Sequence, residues 1–201
     1  MKLRLKLTGF AFALASTAAV ALTPGHVVGN FQLPDQSGKA HELYGSADRK
    51  AIVLMVQGNG CPIVRQAIPA LREVRDQYQS QGVEFLLLNS NLQDSSDSIA
   101  KESQEFGFGL PVLVDSKQQV GEALGVQRTS EVFVIDPKTW RLVYRGPIDD
   151  RLSYERQRPP ANHYLKDALD AVVAGKPVKV AQADGVGCIV NFPDRGKKAK
   201  T

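Results

Sequence analysis

Residues 51–56 read Ala-Ile-Val-Leu-Met-Val, an apolar run with no polar alternation. A strand covered on both faces by other elements has this pattern, as in a parallel sheet flanked by helices. Gln57-Gly58-Asn59-Gly60 breaks the run. Ile63, Ala67, Leu71, Val74 and Tyr78 then recur at spacings of three and four, which predicts a helix. Pro62 suits the first helical position, where its missing N–H costs nothing. Pro69 lies inside the helix and should kink it, and Gly82 ends it. Residues 83–88, Val-Glu-Phe-Leu-Leu-Leu, are a second buried run. Strand, helix and strand in this order imply a parallel pair joined by a right-handed crossover.

The flanking segments extend the sheet. Residues 31–33 and 40–43, around the polar stretch 35–39, read as an N-terminal hairpin. Residues 89–96 are a polar loop, and Asp97 or Ser98 is placed to cap a helix ending near residues 106–107. A short strand at 111–114 and a short helix at 119–124 follow. Strands at 131–135 and 142–145, around the turn 136–139, pair antiparallel. Leu165, Ala168, Leu169 and Val172 share one face of a final helix over 162–174. The expectation is one α/β domain over residues 22–175, with a central mixed sheet flanked by helices, and an irregular extension over 176–201.

Residues 1–21 read as a secretory signal peptide. Lys2, Arg4 and Lys6 precede an uncharged stretch, and Ala19-Val20-Ala21 places small residues at the two positions a signal peptidase reads. The apolar run of roughly 16 residues is short for an uncleaved anchor, which needs about 20. The protein is therefore expected to be exported, periplasmic or extracellular, without stable membrane insertion after cleavage. Three of the 25 basic residues lie in this leader, against 21 acidic residues in the whole chain. The remainder is close to neutral, and no basic face laced with aromatics points to nucleic acid. Arg195, Lys197, Lys198 and Lys200 read as a solvated tail.

Two cysteines, Cys61 and Cys188, would meet an oxidising compartment. Cys61 follows a buried strand and a glycine-bearing turn and directly precedes a helix. The free N–H groups and positive dipole end of that helix favour a thiolate and lower the thiol pKa. Arg65, four residues on, shares the helical face and would add positive charge if it curls back. Gly58 and Gly60 leave little bulk around the sulfur, so a substrate should reach it. A buried structural cysteine is the competing reading.

The segment from Ala51 through Cys61-Pro62-Ile63-Val64-Arg65 to Pro69 and Leu71 resembles the active-site segment of the thioredoxin superfamily. The nearest likeness is to its redoxin branch, the bacterial thiol-disulfide oxidoreductases and the alkyl hydroperoxide reductase/thiol-specific antioxidant proteins. Residues 129–136 resemble the stretch that carries the cis-proline loop. The resemblance implies a thioredoxin-like fold and chemistry at Cys61, flanked by Gly60, Pro62, Thr129 and Ser130. It also has departures. Cys-x-x-Cys is missing its second cysteine, at Val64. Gly58 stands where a peroxiredoxin carries Thr or Ser, so peroxidase chemistry should be slow. Ser130 stands at the cis-proline position, where it offers a hydroxyl to a ligand.

Against that pattern Cys188, in Gly185-Val186-Gly187-Cys188, is a candidate resolving cysteine. A structural disulfide and two unrelated thiols are the alternatives. The expected function is an exported thiol oxidoreductase using Cys61, Arg65 and Cys188 on protein disulfides or, weakly, hydroperoxides, with an unidentified reductant and no cofactor. A non-catalytic binding module is the other reading. Cys61, Cys188 and His163 offer ligand types suited to copper, without a diagnostic spacing. His26 and His41 read as surface residues. Asn89, Asn91 and the Asp149-Asp150-Arg151 cluster read as loop networks at strand ends, with Asn89 and Asn91 as possible cleft residues.

Overall fold

A computed structural model describes residues 22–193. The signal-peptide segment 1–21 and the basic residues 195–200 lie outside the described residues. Strands β1 (Gln32–Pro34) and β2 (Ala40–Glu42) pair antiparallel as the expected hairpin. Strands β3 (Ala51–Gln57), β4 (Val83–Asn89), β5 (Val112–Val114), β6 (Val132–Asp136) and β7 (Arg141–Gly146) form one sheet in the order β5-β4-β3-β6-β7. β3, β4 and β5 are parallel, and β6 and β7 run antiparallel to their neighbours.

Residues of β3 show why the run is apolar throughout. Ala51, Val53 and Met55 point into one core, with Val64, Ala67 and Leu71 of helix α1 (Pro62–Tyr78), Ile99 of α2 (Ser96–Glu105) and Leu165 and Leu169 of α4 (Tyr164–Val173). Ile52, Leu54 and Val56 point into the other, with Leu43, Val120 and Leu124 of α3 (Gln119–Leu124), and Val190 and Phe192. Both faces are dry, so neither tolerates a polar position. Pro69 is carried within α1. The cap of α2 lies two residues before Asp97 and three before Ser98. Ser95 is its cap, with a reciprocal bond in which the Ser98 side chain reaches back.

Past α4 the described residues form no helix or strand, as read from sequence, yet they are well packed. Ala181 accepts from the Arg145 N–H and Ala183 donates to the Arg145 carbonyl, along the outer edge of β7. Val190 and Phe192 then close the second core. This path returns Cys188 to the carboxyl end of β3. Among the described residues no helix is long and apolar enough to cross a membrane.

Candidate active site

In-register pairing places Gln57 beside Asn89 at the carboxyl ends of β3 and β4. The Asn89 amide donates to Gln57 Oε1 at 2.7 Å and to Asp94 Oδ2 at 2.8 Å. Asp94 also receives the Asn59 N–H at 3.0 Å and the Asn91 amide, and the Asn59 side chain reaches Ser98 Oγ. Asn89 and Asn91 thus form a satisfied network that shapes the turn ahead of Cys61. Gly60 takes a left-handed φ of 73°, which favours glycine, and donates its N–H to Glu102 Oε1. Cys61 follows as the N-cap of the 17-residue helix α1. The expected strand, glycine turn and helix start are all present.

Cys61 and Cys188 are joined by a disulfide, 127 residues apart in sequence and 6.2 Å between Cα atoms. Thr129 ties both halves together. Its Oγ1 lies 3.1 Å from Cys61 Sγ and receives the Cys188 N–H at 2.9 Å, while its own N–H donates to the Cys188 carbonyl. A disulfide sulfur carries no proton, so the Thr129 hydroxyl is the donor to Cys61 Sγ. Val190 donates to the Gln127 carbonyl, and Ile189 bridges Arg128 antiparallel. Gly187 is required here, because a Cβ would stand 1.9 Å from the Thr129 carbonyl oxygen. Tyr154 Oη receives the Gly187 N–H and donates to its carbonyl. The Tyr154 loop is closed at its base by Asp150, whose carboxyl receives the Asn162 and Ala161 N–H groups. Those bonds, led by Asn162, hold Asp150 at about 2 against an ordinary 3.8.

Two expectations change. First, Cys61 is only 3% exposed, so the glycines do not open the sulfur. The space beside Gly58 is taken: a Cβ there would meet Asn91 Nδ2 at 2.5 Å and Thr129 Cγ2 at 2.9 Å. A Thr or Ser at that position would have to displace these side chains, and the hydroxyl that reaches sulfur comes from Thr129 instead. Second, Arg65 does not curl back toward sulfur as a free cation. Its Nε and Nη2 grip both oxygens of Glu102 at 2.9 Å, and the guanidinium stacks 3.7 Å over the Phe106 ring. The bond to Glu102, ahead of their mutual attraction, raises the Arg65 pKa. The copper alternative lacks its ligand cluster: no group of three or more His, Cys, Asp or Glu side chains among the described residues could hold a metal ion, so Cys61, Cys188 and His163 do not assemble a site. His163 is the N-cap residue of α4, and its side chain makes no cap bond.

Ser130 holds the position matched to cis-proline. It sits at φ 62° and donates its N–H to the Val56 carbonyl. Its hydroxyl is buried and lacks a hydrogen-bond partner among the described residues, between two cavities of about 310 and 130 Å³. Pro62 lines a third cavity, of about 300 Å³, together with Cys188 and Gly187. Asp149 pairs with Arg151 at 2.8 Å. His26 and His41 bond Thr23 and Asp35, away from Cys61. Glu102 and Tyr154 were not singled out from sequence. They sit on a separate helix and a loop, and no local spacing links them to Cys61.

Residues 24–142 match the AhpC/TSA family, a span that ends before Cys188. The thiol-disulfide oxidoreductase ResA of Geobacillus thermodenitrificans (strain NG80-2) is 30% identical over 120 residues, covering 60% of this chain and 67% of the relative. ResA of Bacillus subtilis (strain 168) is 27% identical over 118 residues, covering 59% and 64%. The crystal structure of a hypothetical protein from Sinorhizobium meliloti 1021 superposes with a TM-score of 0.77 at 30% identity, over 86% of this chain and 96% of that one. A putative thiol:disulfide interchange protein DsbE from Chlorobium tepidum shares the fold, with a TM-score of 0.58 at 19% identity over 77% and 98%.

Proposed function

The chain belongs to the AhpC/TSA family, and from that membership and the joined sulfurs we propose that it is an exported thiol-disulfide oxidoreductase cycling Cys61 and Cys188. The observation that carries the reading is the disulfide between a cysteine at a helix start and one 127 residues away. Similarity to relatives named as thiol-disulfide oxidoreductases supports it. The substrate is a disulfide, foremost in a protein.

In the reduced protein the Cys61 thiolate attacks one sulfur of the substrate disulfide, and the other substrate sulfur leaves as a thiolate. The amides at the start of α1 and the Thr129 hydroxyl favour the anion. The Cys188 thiolate then attacks Cys61 in the mixed disulfide. The second substrate thiol is released, and the pair is left oxidised as in the structure. Thr129 holds Cys188 beside Cys61 for this step. Arg65 fixes the turn indirectly, since its partner Glu102 also receives the Gly60 N–H. Ser130, Gly60 and Pro62 flank the substrate.

A hydroperoxide would oxidise Cys61 to a sulfenic acid that Cys188 condenses into the same disulfide. No hydroxyl stands at position 58 to orient it, and the Thr129 hydroxyl is engaged with Cys61 and the Cys188 N–H, so any antioxidant activity is slow. The pairing of the two sulfurs with each other favours exchange over a copper-handling module. Residues 1–21 would direct export, residues 22–175 form the redoxin domain, and the extension from 176 supplies the resolving cysteine.

A Cys188→Ser variant incubated with a disulfide-bonded protein should accumulate a mixed disulfide on Cys61, while Cys61→Ser forms none and loses turnover. Turnover retained in Cys61→Ser would refute the assignment.

A further inference from the structure

A surface groove of about 880 Å³ lies at the pole of the sheet opposite the disulfide. Lys50, in its wall, directly precedes β3, whereas Cys61 follows the far end of that strand. β6 runs antiparallel to β3, so the turn after Asp136 comes back to the same pole as Lys50. Seven strand residues separate the two poles, roughly 20 Å. The floor of the groove is apolar. Val143 of β7, Val172 and Val173 at the end of α4, and Val178 beyond it are half-buried against the first core.

The rim is cationic. Lys50, Lys138 and Lys176 are exposed there, and their ammonium groups have no hydrogen-bond or ion-pair partner among the described residues. Arg49 and Arg141 also line the groove, the latter donating to the Gly25 carbonyl. Two acids share the lining, and both are engaged. Asp48 lies 3.7 Å from Arg49 Nε, and the Asp136 carboxylate receives the Lys138 N–H and the Thr139 hydroxyl. Five cations against two carboxylates make the groove positive, although the chain past residue 21 is close to neutral.

We propose that this groove docks the exported protein on an anionic lipid membrane, with the disulfide turned away from the bilayer. A lysine rim around a valine floor is complementary to an amphiphile: the ammonium groups meet the phosphate headgroup, and the valines meet the upper part of the acyl chains. The point at which the chain enters the fold supports the same occupant. Pro24 and Gly25 line the groove, so the uncharged stretch that reads as an export leader joins the protein at this face. Each lysine near an anionic surface adds several-fold to binding, and the attraction dies away within a Debye length. Docking is therefore reversible and salt-sensitive.

The test is flotation of the exported, oxidised protein with vesicles of equal parts phosphatidylglycerol and phosphatidylcholine, against vesicles of phosphatidylcholine alone. Two triple variants with the same N-terminus and the same change of charge are compared. One replaces the rim, Lys50→Gln, Lys138→Gln and Lys176→Gln. The other replaces three exposed lysines outside the groove, Lys39→Gln, Lys101→Gln and Lys117→Gln. Wild type should float with the anionic vesicles only and be released by high salt. The rim variant should bind them about tenfold more weakly or less, and the distal variant should bind as wild type does. Absence of binding to the anionic vesicles, equal binding to the neutral ones, or equal loss in both variants overturns the proposal. So does rim-dependent retention of poly-glutamate without vesicle binding, which would assign the groove to an acidic protein. Glutathione should reduce the vesicle-bound disulfide as fast as the free one, and a tenfold slower rate would overturn the orientation.

Discussion

The Thr129 hydroxyl lies 3.1 Å from the sulfur of Cys61 and at the same time accepts the backbone N–H of Cys188 at 2.9 Å. One side chain thus serves the anion of the nucleophile and the position of its partner. A hydroxyl donating to a thiolate lowers its pKa, and one pKa unit corresponds to about 1.4 kcal/mol. Thr129→Val keeps the volume and removes the donor. The Cys61 thiol of the reduced variant should titrate about one unit higher, read from the pH dependence of its alkylation. An unchanged profile would assign the thiolate to the helix start alone.

Gly187 lets the returning segment reach Thr129, with no room for a Cβ. In Gly187→Ala the segment must shift away from the Thr129 carbonyl. Forced overpacking of this kind costs about 1–3 kcal/mol. The cost falls on the oxidised form, in which the segment is pinned. Equilibration in glutathione redox buffers should show the disulfide disfavoured by about tenfold or more.

Arg65 and Glu102 separate stability from reactivity. Glu102 is buried, and without Arg65 its carboxylate keeps only the Gly60 N–H among the bonds described. Arg65→Ala should lower unfolding stability in denaturant titrations, because it leaves the buried Glu102 carboxylate without its ion-pair partner. The guanidinium is neutralised by Glu102 in the native protein, so the Cys61 alkylation profile should move by less than one unit. A shift larger than that would restore Arg65 as a direct stabiliser of the thiolate.

The fold was legible because its signals are local. Residues 51–56 and 83–88 declare strands buried on both faces, and the change of period after Cys61 declares the helix. The helix-start cysteine, its glycine turn and the Thr129-Ser130 stretch could all be located from sequence. The pairing of Cys61 with Cys188 could not, because geometry at a separation of 127 residues decides it. The burial of Cys61 was missed for a similar reason. Glycines at 58 and 60 read as open space, but at 58 that space is filled by Asn91 and Thr129 from other segments. Within one turn of Arg65 its own helix offers no acid to compete for it. Glu102 comes from α2.

Asp150 sets the pH behaviour of the loop that carries Tyr154. Its folded pKa of about 2 lies below the ordinary 3.8, so its bonds to residues 161 and 162 favour the closed loop fully above pH 4. That contribution is lost as pH falls through about 2, and across neutral pH the loop should be insensitive. Asp150→Ala removes the bonds at every pH. It should speed limited proteolysis within residues 153–158 and glutathione attack on the disulfide, because Tyr154 no longer pins Gly187. A protease pattern identical to wild type would mean that other contacts hold the loop.

The disulfide also makes the stability of the protein a function of its redox state. Cross-linking residues 127 apart removes chain entropy from the unfolded ensemble, which for a loop of this length amounts to about 4–5 kcal/mol. Reduction should lower unfolding stability by an amount of this order, and Cys188→Ser should match the reduced wild type rather than the oxidised. The loss should be concentrated in the segment after α4, whose backbone bonds to Gln127, Thr129 and Arg145 depend on Cys188 being held in place. Hydrogen exchange on oxidised and reduced protein would report it as faster exchange at Cys188 and Val190, with β3 and β4 little changed. By linkage, the same free energy that the disulfide lends the fold opposes its reduction, so variants that weaken the packing of Val190 or Phe192 should also be easier to reduce. Uniform loss of protection across the sheet would instead mean that the segment is an integral part of the fold's cooperative unit and is not released on reduction.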